Sequence, residues 1–345
     1  MRLVAALLLL LLAGGPAAAQ SPRATAEATS GGSAPFTFVA FGDMPYCVPQ
    51  APEACPAEFG RVARLMRDIN AAQPAFSIFV GDTKGGSEIC SDDRLLQPLT
   101  WMMLAAAPLI YTPGDNEWTD CWQDRGGRYD PLERLAFLRA RFFPDSFSLG
   151  RQRLRLTRQA DVEPAHAIFV ENARWSRAGV VFATLHAMGS NNNRPTEPGE
   201  RPTSTPPAGA LEEFQARDAA NIAWLASTFA EARSANAPAV VLSFQVDMYY
   251  AQRCPGPSQD SGVRAFRDAL HREAAAFGRP VLSIHGDSHF WLHDKPFPGA
   301  PNLTRIMVPG ERDVRAVLVA VDPAAAEPWS FSLIGAADRL GRNSC

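Results

Sequence analysis

Apolar residues gather along the chain in two rhythms: short unbroken runs rich in β-branched and aromatic residues, and longer stretches where they recur every three or four positions. Residues 36–41 form the first run and stop at Gly42, which predicts a strand. Phe59, Val62, Leu65, Met66 and Ile69 then keep helical spacing until Pro74 ends the helix. A second buried run at 76–80 ends at Gly81-Asp82. Asp92 or Asp93 can cap a helix carrying Leu95, Leu96, Leu99 and Met102, and a third run at 109–112 precedes Gly114-Asp115. This is a βαβαβ pattern in which each strand hands over to a Gly-Asp pair. In open parallel sheets, ligands bind beyond the carboxyl ends of the strands.

The pattern resumes with a helix over 131–142. Runs at 166–171 and 180–185, separated by a polar turn, read as neighbouring antiparallel strands. Residues 189–208 contain five prolines and three successive asparagines and read as a long loop. A long helix with Leu211, Phe214, Ile222, Leu225 and Phe229 leads to a strand at 239–244. A helix over 263–277 leads to a strand at 281–284, which runs into His285-Gly286-Asp287-Ser288-His289. Strands near 303–308, 314–321 and 329–333 close the chain. The sum is an α/β protein of two halves forming a layered sandwich, with polar residues gathered where strands end. No linker splits it, so one domain is expected over 35–345.

The first residues stand apart. Arg2, an apolar run over 3–13 and Ala17-Ala18-Ala19 read as an export signal over 1–19, and 20–34 as a flexible leader. No later apolar stretch approaches the roughly 20 residues of a membrane-spanning helix, so no membrane association is expected after cleavage. The 33 basic and 36 acidic side chains nearly balance, which argues against a nucleic-acid partner. Six cysteines in an exported chain imply disulfides and a periplasmic or secreted location. Sequence alone does not choose among the possible pairings; our expectation is Cys47 with Cys55, Cys90 with Cys121 and Cys254 with Cys345.

Five strand ends present Asp43, Asp82, Asp115-Asn116-Glu117, Gln245 with Asp247, and Asp287 with His289. Buried carboxylates cluster when something positive offsets their repulsion, most simply one or two metal ions. In this order the motifs Gly42-Asp43, Gly81-Asp82, Pro113-Gly114-Asp115-Asn116-Glu117, a strand ending at Gln245, and Gly286-Asp287-Ser288-His289 resemble those of the calcineurin-like metallophosphoesterases, as a divergent member, over roughly 36–290. The resemblance implies an α/β/β/α sandwich of the metallo-dependent phosphatase type. It also implies two metal ions and hydrolysis of a phosphate ester or anhydride on a small phosphorylated substrate, by attack of a metal-bound hydroxide.

Carried over position by position, Asp43 matches the family's first Asp, Asp82 the bridging Asp, and His289 the second His of the last segment. Elsewhere the chain departs. Pro45 stands where the first His would be, Asp115 replaces the Asn ligand, Asn116 the catalytic His, Gln245 the lone His, and Asp287 the first His of the last segment. The implied ligands are thus Asp43, Asp82, Asp115, Gln245, Asp287 and His289, a set whose oxygens favour Mn²⁺, Mg²⁺ or Ca²⁺ over Zn²⁺. His285 becomes the ligand instead if the register shifts. Thr83, Lys84 and Gly85 follow Asp82, so there is no Tyr there to bind ferric iron as in purple acid phosphatases.

Asn116 cannot supply the acidic proton that a His supplies. His186, at a strand end, is the candidate acid or phosphate ligand, and Lys84 a candidate phosphate contact, so Asn116, His186 and Lys84 are expected to meet the substrate. The alternative reading is a non-catalytic descendant that keeps a metal and binds a ligand or partner through the 189–208 loop. Trp118, Trp122, Trp175 and Trp291 read as packing residues, and the arginines of 151–158 as a solvated edge.

Overall fold

The computed structural model describes residues 34–47, 52–201 and 207–341. The expected signal peptide, the leader to residue 33 and Cys345 lie outside them. Twelve strands are found among the described residues, in two sheets. The first sheet runs β12 (Trp329–Ile334), β11 (Ala316–Val321), β1 (Phe36–Phe41), β2 (Ser77–Phe79) and β3 (Leu109–Tyr111). Its β1, β2 and β3 are parallel, and β11 and β12 join them antiparallel. The second runs β4 (Thr157–Arg158), β5 (Ala173–Arg177), β6 (Val180–Thr184), β7 (Val240–Ser243), β8 (Val281–His285), β10 (Leu303–Met307) and β9 (Leu292–Asp294). Its four central strands, from β6 to β10 in that order, are parallel.

Alternation along β1 shows how the layers form. Phe38 and Ala40 face the second sheet and pack in a core with Phe182, Val241, Leu282 and Ile306. Val39 and Phe41 point the other way, onto α1 (Cys55–Ala71), α2 (Asp92–Met102) and α3 (Pro131–Phe142). On the far face of the second sheet, Val181, Val240 and Val281 pack against α4 (Ala210–Ser234) and α5 (Arg264–Phe277). The order is helices, sheet, sheet, helices, the α/β/β/α sandwich that the sequence resemblance implies. Phe182 sits edge-on to Phe38 with ring centres 5.5 Å apart and stacks on Trp175 at 5.4 Å. Losing such a ring costs about 3–5 kcal/mol.

Most sequence-expected elements are present, and the exceptions have physical reasons. The strand expected at 166–171 is not one: Ile168 is exposed and only Phe169 is buried from its apolar run. The partner of β6 is β5, joined to it by the two-residue turn Ala178-Gly179, both at positive φ. That turn fixes Arg177 opposite Val180, and with β7 on the other edge of β6 no place beside it is left for 166–171. At α2 the cap is Ser91, whose hydroxyl accepts the Arg94 N–H, rather than either aspartate. The disulfides Cys47–Cys55 and Cys90–Cys121 are present, and the third expected pair falls on a residue outside those described.

Candidate metal centre

The parallel strands end on one edge of the sandwich, and the residues that follow them turn sharply. Asp43 (φ +53°), Asp82 (φ +59°), Asp287 (φ +75°) and His289 (φ +63°) all adopt the left-handed region that non-glycine residues usually avoid. Each such conformation costs on the order of 1–3 kcal/mol and persists only where its surroundings enforce it. The enforcement is visible at Gly286, where a Cβ would overlap the Asp43 carboxylate, and at Gly114, where one would overlap Asp82. Asp43 Oδ1 accepts the Asp287 N–H at 3.0 Å, which ties the end of the first sheet to the end of the second.

Asp43, Asp82 and His289 each offer one ligand atom, all within 4.8 Å of one another. His289 Nε2 lies 3.4 Å from Asp43 Oδ1. Asp82 Oδ2 is the convergence point of three donors: Tyr46 Oη at 2.8 Å, Asn116 Nδ2 at 2.7 Å and Gln245 Nε2 at 3.2 Å. Asp43 Oδ2 and Asp115 Oδ1 are buried with no hydrogen-bond partner. Orphaned carboxylate oxygens, that of Asp43 in a cluster with an imidazole, are what a hard divalent cation would satisfy, so the residues present fit such an ion.

The electrostatics point the same way. Burial first, and then Asp115, Glu117 and Asp43, push Asp82 well above the usual carboxylate range. Asp115 is raised likewise by burial and then by Asp120 and Asp287. Burial, with Asp247 and Asp43 nearby, lifts Asp287 to about 6. Burial alone would lower His289, but the carboxylates of Asp43 and Glu311, 3.4 and 3.7 Å from its ring nitrogens, raise it to about 10. The cluster is therefore a place where negative charge is costly until a cation arrives.

On the Asp115 and Asp287 side the site opens into a cleft of about 510 Å³, also lined by Asp120, Ser190, Trp122 and Tyr250. Ser190 Oγ lies 2.7 Å from Asp115 Oδ2 and 2.8 Å from Asp120 Oδ1, yet a hydroxyl has one proton to donate. Four successive residues, Ser190 to Asn193, hold positive φ and form a left-handed turn at the start of the expected loop. Their side chains are tied down by Arg217, Thr119, Ser261 and Glu213.

The sequence-derived candidates separate by position. Asp43, Asp82 and His289 meet, with Asn116 against Asp82 and Asp287 against Asp43. Gln245 is at the cluster but does not turn its oxygen to it: Oε1 accepts the Gly189 N–H at 2.6 Å, leaving Nε2 facing Asp82. His186 is not at the cleft. It is fully buried, with Nδ1 2.9 Å from Glu171 Oε1 and Nε2 accepting the Trp118 indole N–H at 3.2 Å, so both ring nitrogens are engaged. Lys84 is equally buried, its ammonium donates to Gly85 O, and burial lowers its pKa. His285 stacks on Phe244 in the interior, and burial lowers it to about 4. Tyr46, Ser190 and Asp120 were not foreseen; their roles depend on contacts 70 or more positions away for Ser190 and 36 for Tyr46.

No family model matches the chain, and no curated protein matches it. Solved structures with a similar fold include a dimetal phosphatase from Danio rerio, at 12% identity and a TM-score of 0.49 over 87% of this chain and 98% of that one. They also include a putative 5'-nucleotidase from Staphylococcus aureus (12% identity, TM-score 0.47, 90% of this chain and 56% of that one). A third is a purple acid phosphatase from yellow lupin seeds (12% identity, TM-score 0.43, 88% and 54%).

Proposed function

We propose that the chain is an exported metal-dependent phosphoesterase acting on a small phosphorylated substrate. The observation that carries this reading is the convergence of Asp43, Asp82 and His289 at the strand ends of an α/β/β/α sandwich, with buried carboxylate oxygens that nothing else satisfies. A second position between Asp82, Asp115 and Asp287 would complete a pair of ions. Divalent ions there would supply Lewis acidity toward a phosphoryl oxygen and a nucleophile at neutral pH. Asn116 and Gln245 hold Asp82 by hydrogen bonds, and Ser190 holds Asp115. The cleft beyond Asp115 and Asp287 would take the leaving group between Trp122 and Tyr250. Export is supported by the two disulfides, which persist in oxidising compartments.

One observation favours the non-catalytic reading: Asn116 has no acidic proton and His186 is sealed behind Trp118 and Glu171, so neither is placed to protonate a leaving group. The test is hydrolysis of p-nitrophenyl phosphate and of bis(p-nitrophenyl) phosphate by protein treated with chelator and resupplied with Mn²⁺, Mg²⁺, Ca²⁺ or Zn²⁺, beside Asp82→Ala. Turnover restored by metal and absent from the variant supports the phosphoesterase. Stoichiometric metal without turnover on either ester supports the binding protein.

A further inference from the structure

The triad has a fourth neighbour of donor character. Going around it, Asp82 Oδ2 lies 2.8 Å from Tyr46 Oη, Tyr46 Oη lies 3.3 Å from His289 Nε2, and His289 Nε2 lies 3.4 Å from Asp43 Oδ1. Donors bound at about 2.1 Å to one ion are about 3.0 Å apart at right angles and about 3.4 Å apart at tetrahedral angles. The three gaps are those of consecutive ligands around a single centre. We infer that Tyr46 is a fourth protein ligand of the ion held by Asp43, Asp82 and His289, its phenol oxygen replacing the donor that Pro45 cannot provide. This rests on the reading of the triad as a metal site.

The tyrosine is held in place for the role. Its ring stands edge-on to the His289 imidazole with centres 5.2 Å apart, and it packs on Gly85. Asn116 Nδ2 donates to its oxygen at 3.0 Å, which leaves that oxygen one further lone pair, with His289 Nε2 3.3 Å away. In the metal-free protein the O–H donates to Asp82; on coordination the metal–oxygen bond forms as the O–H bond breaks, and the proton goes to solvent. Two carboxylates, a phenolate and one imidazole are a hard, strongly anionic set that suits a highly charged ion. Ferric iron is therefore the probe of choice, because a phenolate bound to it gives a visible charge-transfer band that no carboxylate or imidazole produces.

The full mature protein is stripped with chelator and loaded with one equivalent of iron, oxidised in place, or with Mn²⁺, as wild type, Tyr46→Phe and Asp43→Ala. Melting in chelator confirms that each variant folds. The expected result is a coloured ferric wild type, a Tyr46→Phe protein that binds iron without the band, and Mn²⁺ affinity reduced about 10–100-fold in that variant, a loss of the size seen when a metal-site partner is removed. A colourless ferric wild type, together with Mn²⁺ affinity unchanged in Tyr46→Phe, overturns the inference while leaving the site standing. Absence of stoichiometric metal in the wild type, or equal binding by Asp43→Ala, overturns the site and the inference with it.

Discussion

Replacing Asp115 by Asn should make the metal-free protein more stable and the metal-loaded protein relatively less so. The Asn oxygen can still accept the Ser190 hydroxyl, so no hydrogen bond is lost. What is lost is a buried charge. Oxygens of Asp115 and Asp120 that share one hydroxyl, at 2.7 and 2.8 Å, lie within roughly 5 Å of each other; at an effective dielectric of 20 such charges repel by roughly 3 kcal/mol. Partial protonation in the wild type already relieves some of this, so the gain is about 1–2 kcal/mol. In a chain of this size, with an unfolding entropy of about 0.7 kcal/mol/K, that is a rise of about 1–3 °C in Tm. The sign with pH follows from the raised folded pKa of Asp115, whose causes are burial and then Asp120 and Asp287. Ionisation opposes folding above the unfolded value near 4, so the gain is largest at pH 8 and fades toward pH 4. Under saturating Mn²⁺ the lost negative charge should weaken binding, and stabilisation by mass action then shrinks or reverses the difference. Differential scanning fluorimetry at pH 5 and pH 8, in chelator and in Mn²⁺, measures all four corners. A variant that melts below the wild type in chelator at pH 8, or whose gain is undiminished by Mn²⁺, refutes the account of a cluster that awaits a cation.

Other outcomes follow from groups outside the cleft. Glu171→Gln, which leaves Arg139 and His186 facing a neutral amide, should cost about 3–5 kcal/mol at pH 7 by urea denaturation. Despite its burial, Arg139 and His186 hold Glu171 below its usual range, so its contribution is present above pH 4.5 and is lost as pH falls. His186→Gln should lower stability by about 1–3 kcal/mol and leave the pH profile of turnover unmoved; a shifted acidic limb would return His186 to the chemistry. Burial raises Asp218 to about 6, so Asp218→Asn should add up to about 3 kcal/mol above pH 6 and nothing near pH 4, read from denaturation midpoints. Cys90→Ser with Cys121→Ser should cost about 3–4 kcal/mol, the loop-closure contribution of a bridge across a separation of 31 residues.

The sandwich and its strand-end carboxylates were legible because they are local. A strand followed by Gly-Asp announces a sharp turn, and Asp tolerates the left-handed backbone that Asp43, Asp82 and Asp287 adopt. What the sequence concealed is where side chains aim. His186 follows β6 as expected, yet Trp118 and Glu171 close over it, and neither contact is visible from its neighbours in the chain. Gln245 reaches the cluster with its amide reversed because Gly189, 56 positions away, claims the oxygen. Tyr46 follows Pro45, which occupies the position that the family resemblance assigns to a histidine. The apolar run around Phe169 imitated a strand because period and composition do not distinguish a buried strand from a segment that buries one ring.

The contact between Asp43 and the Asp287 backbone joins the two sheets at their ends, and the donors divide the same way: Asp43, Asp82 and Asp115 belong to the first sheet, Asp287 and His289 to the second. An ion held between them would act as a rivet across the sandwich. The sheets could not part until it left, so the lifetime of the native chain would be set by the free metal around it as well as by its core. Scavenging of that metal would then expose the protein to proteolysis at the same moment that it silenced the site.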